Sequence, residues 1–267
     1  ISPNSTDLGH HMYWTKWMVE NNKLPDYEGM PDFIVGEQTI FGSLALINGL
    51  GLFSAFPQLV LYLINLLSIL TVFILTLRIF KEKNIAIFAL FFLGVLYAIA
   101  APQTKYVSGG VVGNIFGNFL MPLAFYFYYR SFDRLNDIDF ESFSESRIFL
   151  SIAVFLTFGL FYTHHLTAFV FMFVFAFFLI LFATLNFGSI ENILPKVKKI
   201  VISPQVIAVF VMGFIFFFFI FTPNYVNTGA VNTAVGTPSK STRAGLTIKN
   251  LTSSVGGARA SLGLVGL

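Results

Sequence analysis

All four histidines of this 267-residue chain fall in two adjacent pairs, His10 with His11 and His164 with His165. An imidazole changes charge near neutral pH, so it can move a proton, hold a phosphate when protonated or ligate a metal when neutral. Asp7 precedes His11 by four residues in the run TDLGHHMYW, and on a helix the two share a face. A carboxylate beside an imidazole suits general-base chemistry or a divalent cation. The plainer reading makes Asp7, like Thr6, only the cap of the helix that follows. His10 and His11 point about 100° apart on a regular helix, so one compact site can use only one of them. The second pair interrupts a long apolar stretch, where polar groups are costly to retain without a role. Its plainer reading is a pair of interfacial histidines in a turn, with Thr163 placed to cap the next helix.

The elements that must carry these residues are membrane helices. Mean hydropathy is +0.78, 56% of residues are hydrophobic and 11% are charged, against roughly 25% charged in soluble domains. The net charge of +3 and pI near 9.1 do not indicate nucleic acid in so apolar a chain, because Lys and Arg cluster between apolar runs. Without cysteine there is no disulfide, thiolate metal site or Cys nucleophile.

Apolar runs of spanning length occupy residues 59–77, 85–101, 111–129, 166–185 and 206–222. Residues 148–185 would make one helix of about 57 Å, too long for a single crossing. Two helices meeting near residues 162–165 are expected, the first short. Six spans result. The connections at 78–83, 130–147 and 195–199 hold nine of the 16 Lys and Arg, which places them in the cytoplasm. By alternation both His pairs, Lys105 and residues 1–57 lie outside. Residues 40–56 read as a re-entrant or interfacial helix, interrupted by polar residues such as Asn48. Trp14 and Trp17 make the first segment an interfacial helix as well.

The expected organisation is an outer loop with interfacial helices over residues 1–57, a transmembrane bundle over 58–222 and a polar outer tail over 223–267. The chain opens at Ile1 on polar residues and ends in a Gly-rich stretch, as expected of a piece lacking at least one preceding membrane helix. Gly109, Gly113 and Gly117 repeat at helical spacing and suit close helix packing. Asp137 and Asp139 form an Asp-x-Asp on the opposite face from the histidines, and a solvated loop is the better reading. Two glycosylation sequons, at Asn4 and Asn250, are common chance patterns.

The first segment resembles the first outer loop of membrane glycosyltransferases of the C superfold (GT-C), which include oligosaccharyltransferases, protein mannosyltransferases and lipid-A aminoarabinose transferases. The resemblance rests on Asp7, His10, His11 and the run Asn22, Lys23, Leu24, Pro25, Asp26, Tyr27. It covers residues 5–60 by motif and most of the chain by layout. The His pairs also look like those of uncharacterised archaeal membrane proteins of similar layout.

The resemblance implies an all-α polytopic bundle in the plasma membrane, using a polyprenyl-phosphate-linked sugar donor at the outer boundary. Asp7 would be the catalytic carboxylate, deprotonating an acceptor or, with a weaker contribution from Glu28, holding Mg²⁺ or Mn²⁺. His10 and His11 would support it. Only Asp7 matches the family motif by position; from the layout, His164, His165 and Lys105 would neutralise the donor phosphate. The chain departs from the pattern in having no span ahead of Asp7 and no outer Asp-x-Asp. The competing readings are a membrane transporter and a non-catalytic scaffold. A transporter usually carries ionisable groups at mid-membrane, and the predicted spans hold essentially none.

Overall fold

The structure is a computed structural model and describes residues 6–23, 36–92, 111–133, 140–185 and 190–215. Among these residues every regular element is helical. In chain order they are α1 (Thr6–Asn21), α2 (Gly36–Asn48), α3 (Phe56–Phe80), α4 (Lys83–Leu90), α5 (Val112–Asp133), α6 (Phe140–Thr163), α7 (His165–Leu185), α8 (Ile190–Val201) and α9 (Pro204–Ile215).

The helix α3 shows what kind of solvent this fold requires. Pro57 sits in its first turn, where a missing N–H costs nothing. It ends at Lys81, in the left-handed conformation at φ 55°, whose N–H bonds the Leu77 carbonyl. Its 25 residues reach about 37 Å, enough to cross a hydrocarbon core of about 30 Å. Leu59, Leu63, Leu66, Leu67, Leu70 and Ile74 all face outward, and only 17% of its apolar window is buried. In water that surface would drive aggregation; against lipid tails it is at rest. The 20-residue segment Ser144–Thr163 of α6 is likewise long and apolar enough to cross. A third crossing exists if α8 and α9, bent by 60°, are taken as one broken span. Among the described residues the protein is all-helical, with two helices, or three spans if the bent pair counts as one, long and apolar enough to cross a membrane.

The expected run at 85–101 begins in α4 and passes beyond the described residues after Phe92. The runs at 111–129 and 166–185 fall within α5 and α7, and the run at 206–222 begins within α9. At 13 residues, α2 spans about 20 Å and cannot cross alone, in keeping with an interfacial segment. The connection at residues 195–199 is helical, lying within α8. Pro195 is tolerated because it removes a single bond, to a carbonyl in the helix's first turn. Asp137 and Asp139 lie outside the described residues.

Two apolar clusters hold the helices together. The larger joins α5 to α9 around Phe125, Tyr128, Phe132, Leu150, Leu160, Phe171 and Ile200. Phe171, Phe175, Phe178 and Phe182 line one face of α7 and contact Phe125, Tyr128 and Phe132 of α5. The smaller cluster joins Leu8 and Met12 of α1, Phe41 of α2, Leu61 of α3 and Val112, Ile115 and Phe116 of α5. Within the first, the Tyr128 hydroxyl lies 3.1 Å from Thr157 Oγ1, linking α5 to α6. Tyr128→Phe is expected to lower stability by only about 0.6 kcal/mol, the typical worth of an interhelical bond in a membrane. Thermal unfolding in detergent checks this.

Candidate functional site

The smaller cluster carries the polar residues of interest. On α1, Leu8, His11, Met12 and Thr15 form the buried face, while His10 is exposed and Trp14 and Trp17 are half-buried. The divergence of His10 from His11 is therefore real. His10 Nε2 accepts from Trp14 Nε1 at 3.2 Å on the outside of the helix. Trp14 and Trp17 flank the buried face, which packs against α2. Gly42 permits this approach: a β-carbon there would lie 3.3 Å from Val19 Cγ2 and 3.6 Å from Thr15 Cγ2.

Across that interface His11 meets a partner that sequence reasoning passed over. His11 Nδ1 lies 2.9 Å from Glu37 Oε1, and both residues are buried, at 8% and 3% exposure. Glu37 stands in the first turn of α2, where the helix dipole favours a carboxylate. Gln38 Nε2 is drawn 3.1 Å from the same Nδ1. One ring nitrogen cannot donate to Glu37 and accept from Gln38. The carboxylate accepts only, so it places the proton on Nδ1. The Gln38 amide then packs beside a nitrogen whose one hydrogen is given to Glu37. In its neutral form, with the proton on Nδ1, His11 would hold its lone pair on Nε2, the form needed for a base or a ligand.

The second His pair reaches the same place. The helix breaks at His164, between α6 and α7. Thr163 does not cap α7 as expected; its Oγ1 donates back to the Gly159 carbonyl. His164 takes that role, with Nδ1 accepting from the Thr167 backbone N–H at 3.2 Å and lying 2.6 Å from Thr167 Oγ1. A capping Nδ1 is unprotonated, so neutral His164 carries its proton on Nε2. Contact with an anion through this residue would therefore use a neutral N–H rather than an imidazolium.

Gly113 on α5 brings the two halves together. A β-carbon there would lie 2.5 Å from His164 Cδ2, the carbon beside Nε2, and 3.2 Å from Glu37 Oε2. The Glu37 carboxylate and the His164 ring edge thus meet over one glycine. Gly117, one turn on, gives the same room to Thr167. Gly36 packs against the Tyr162 backbone, and Thr39 Oγ1 lies 3.1 Å from the Tyr162 hydroxyl, so α2 is fastened to the end of α6.

Of the expected site residues, His11 contacts Glu37, whose other oxygen lies near Gly113 as the His164 ring does, and His10 is turned away from Glu37. Asp7 lies in the first turn of α1, one turn before His11, and His165 opens α7; the side chains of both lie outside the described residues. Lys105 and Glu28 also lie outside them. The described residues do not fit a divalent cation by themselves, since no three His, Asp or Glu side chains among them converge.

Comparison with family models, with curated proteins and with solved structures returned no match.

Proposed function

We propose that this protein is a GT-C-like membrane glycosyltransferase with six spans, transferring a sugar from a polyprenyl-phosphate-linked donor at the outer membrane boundary. The observation that supports this reading most is the meeting of the His11–Glu37 pair with His164 at the end of an apolar helix bundle. A donor whose tail is in lipid and whose sugar is in water would reach such a place without leaving the bilayer.

In this reading an acceptor hydroxyl or amide loses its proton to Asp7 or to His11 Nε2, one helical turn apart. Glu37 holds the His11 ring and stabilises the imidazolium that forms, as a buried carboxylate does behind a catalytic histidine. The His164 Nε2–H, with His165 and Lys105, offsets charge on the departing lipid phosphate. The acceptor attacks the anomeric carbon, the bond to the phosphate oxygen breaks, and the phosphate keeps the electron pair.

Asp7→Asn is expected to lower transfer from a radiolabelled polyprenyl-phosphate sugar by about 100-fold, at unchanged expression. Wild-type transfer by that variant would remove Asp7 from the chemistry. Substrate flux across vesicles with no transfer by either protein would favour a transporter instead.

A further inference from the structure

The other end of the bundle carries a feature that the proposed chemistry leaves unused. From His165, beside the candidate site, α7 runs 21 residues, about 31 Å, to Leu185. That length matches the hydrocarbon thickness, so α8 begins at the opposite boundary. In α8 the residues Ile190, Ile193, Leu194, Val197, Ile200 and Val201 recur at helical spacing and occupy an arc of about 120°. The remaining arc holds Lys196, Lys198 and Lys199, with Glu191 as its only acid.

The apolar arc is divided between two surroundings. Ile193 and Ile200 are buried against the bundle, at 5% and 1% exposure. Leu194 and Val201, on the other edge, are 64% and 47% exposed, and Ile202 just beyond is 55% exposed. Lys198 lies about 40° around the helix from Leu194, and both Lys198 and Lys199 are exposed. The 60° bend at residues 202–203 turns α8 away from the line of α9. Three ammonium groups within 12 residues keep α8 out of the hydrocarbon core. One buried edge, one bare apolar edge and a cationic back describe a helix lying in the headgroup layer.

We propose that α8 is a docking surface for anionic phospholipid headgroups in the leaflet opposite the His11–Glu37 site. Leu194 and Val201 enter the acyl boundary, while Lys198, on the adjoining face, reaches back to the phosphates along its apolar stem. The bilayer is already present at this position because α7 and α9 flank the helix, and the charge of α8 selects which lipids gather there.

The full chain would be purified in detergent and given equal amounts of phosphatidylglycerol and phosphatidylcholine, and the retained lipids counted by native mass spectrometry. Wild type is expected to favour phosphatidylglycerol. A lysine near an anionic surface contributes roughly a fivefold preference, so K198Q/K199Q should lose at least one such factor. K198R/K199R should keep the preference, which separates charge from misfolding, and added salt should weaken it. Absence of a preference in wild type, or its survival in K198Q/K199Q, overturns the proposal. A changed oligomeric state in K198Q/K199Q at unchanged lipid preference would make the face a protein contact, and overturns it equally.

Discussion

Under the proposed function, Glu37→Ala is expected to abolish glycosyl transfer and to destabilise the α1–α2 end of the bundle by about 1–3 kcal/mol, the usual result of leaving a buried hydrogen-bonding group without its partner. Glu37 is 3% exposed and its Oε1 lies 2.9 Å from His11 Nδ1, so water cannot readily replace it. Glu37→Gln separates the chemistry from the fold. The amide fills the same volume and can still bond the ring, but as a donor it moves the imidazole proton from Nδ1 to Nε2. His11 then holds its place with no lone pair on Nε2. That variant should unfold within about 1.5 kcal/mol of wild type, while transfer falls by about 10²–10⁴-fold. Thermal unfolding in detergent and a transfer assay on the same preparation read both. Full transfer by Glu37→Gln would show that His11 is not the base.

The second large effect is steric. A β-carbon on Gly36 would come within 2.5 Å of the Tyr162 carbonyl oxygen and 3.0 Å of its carbonyl carbon. These are backbone atoms at the end of α6, and no rotamer change moves them aside. Gly36→Val is therefore expected to push α2 off α6, costing about 3 kcal/mol. Because Glu37 is the next residue, a displacement of about 1 Å would also lower transfer by about 100-fold. Gly9→Ala is the matching control, since Gly9 lies within α1 and a β-carbon there meets nothing within 4 Å. It should be neutral, or more stable by up to about 1 kcal/mol through helix propensity. Equal damage from both substitutions would mean that the contact of Gly36 with Tyr162 does not position Glu37.

What the sequence disclosed of this site follows from the range over which each force acts. The break at His164 was legible because the apolar run is too long for one crossing, whatever its surroundings. The separation of His10 from His11 was legible because 100° per residue is local geometry. Glu37 was not. In sequence it only brackets an apolar segment, and nothing local says that α2 will fold back to put its first turn against His11. Its faint signal was an acid followed by an amide, Glu37 and Gln38, at the head of a helix too short to cross. The capping at His164 was misread for a related reason: Thr163 is the better cap by residue type, but its hydroxyl bonds back to Gly159. In α8 the helical spacing of the apolar residues was present, and Pro195 together with the lysines drew attention away from it. The membrane character was plain from composition, while the pairing of α5 with α6 and α7 rests on how phenylalanines interlock, which composition does not encode.

The joint over Gly113 also bears on how the chain is made. Its parts arrive at widely separated times during synthesis: His11 and Glu37 early, Gly113 later, and His164 only after most of α6 has emerged. Until then α1 and α2 can pack only against each other, α3 and α5, because Gly36 waits for Tyr162 and Gly113 waits for His164. The contact over Gly113 is thus a late product of biogenesis, completed once the α6–α7 break has formed. A nascent chain halted before residue 164 would hold inserted helices and no assembled site, and protease sensitivity of α1 and α2 in such chains would mark the moment of closure.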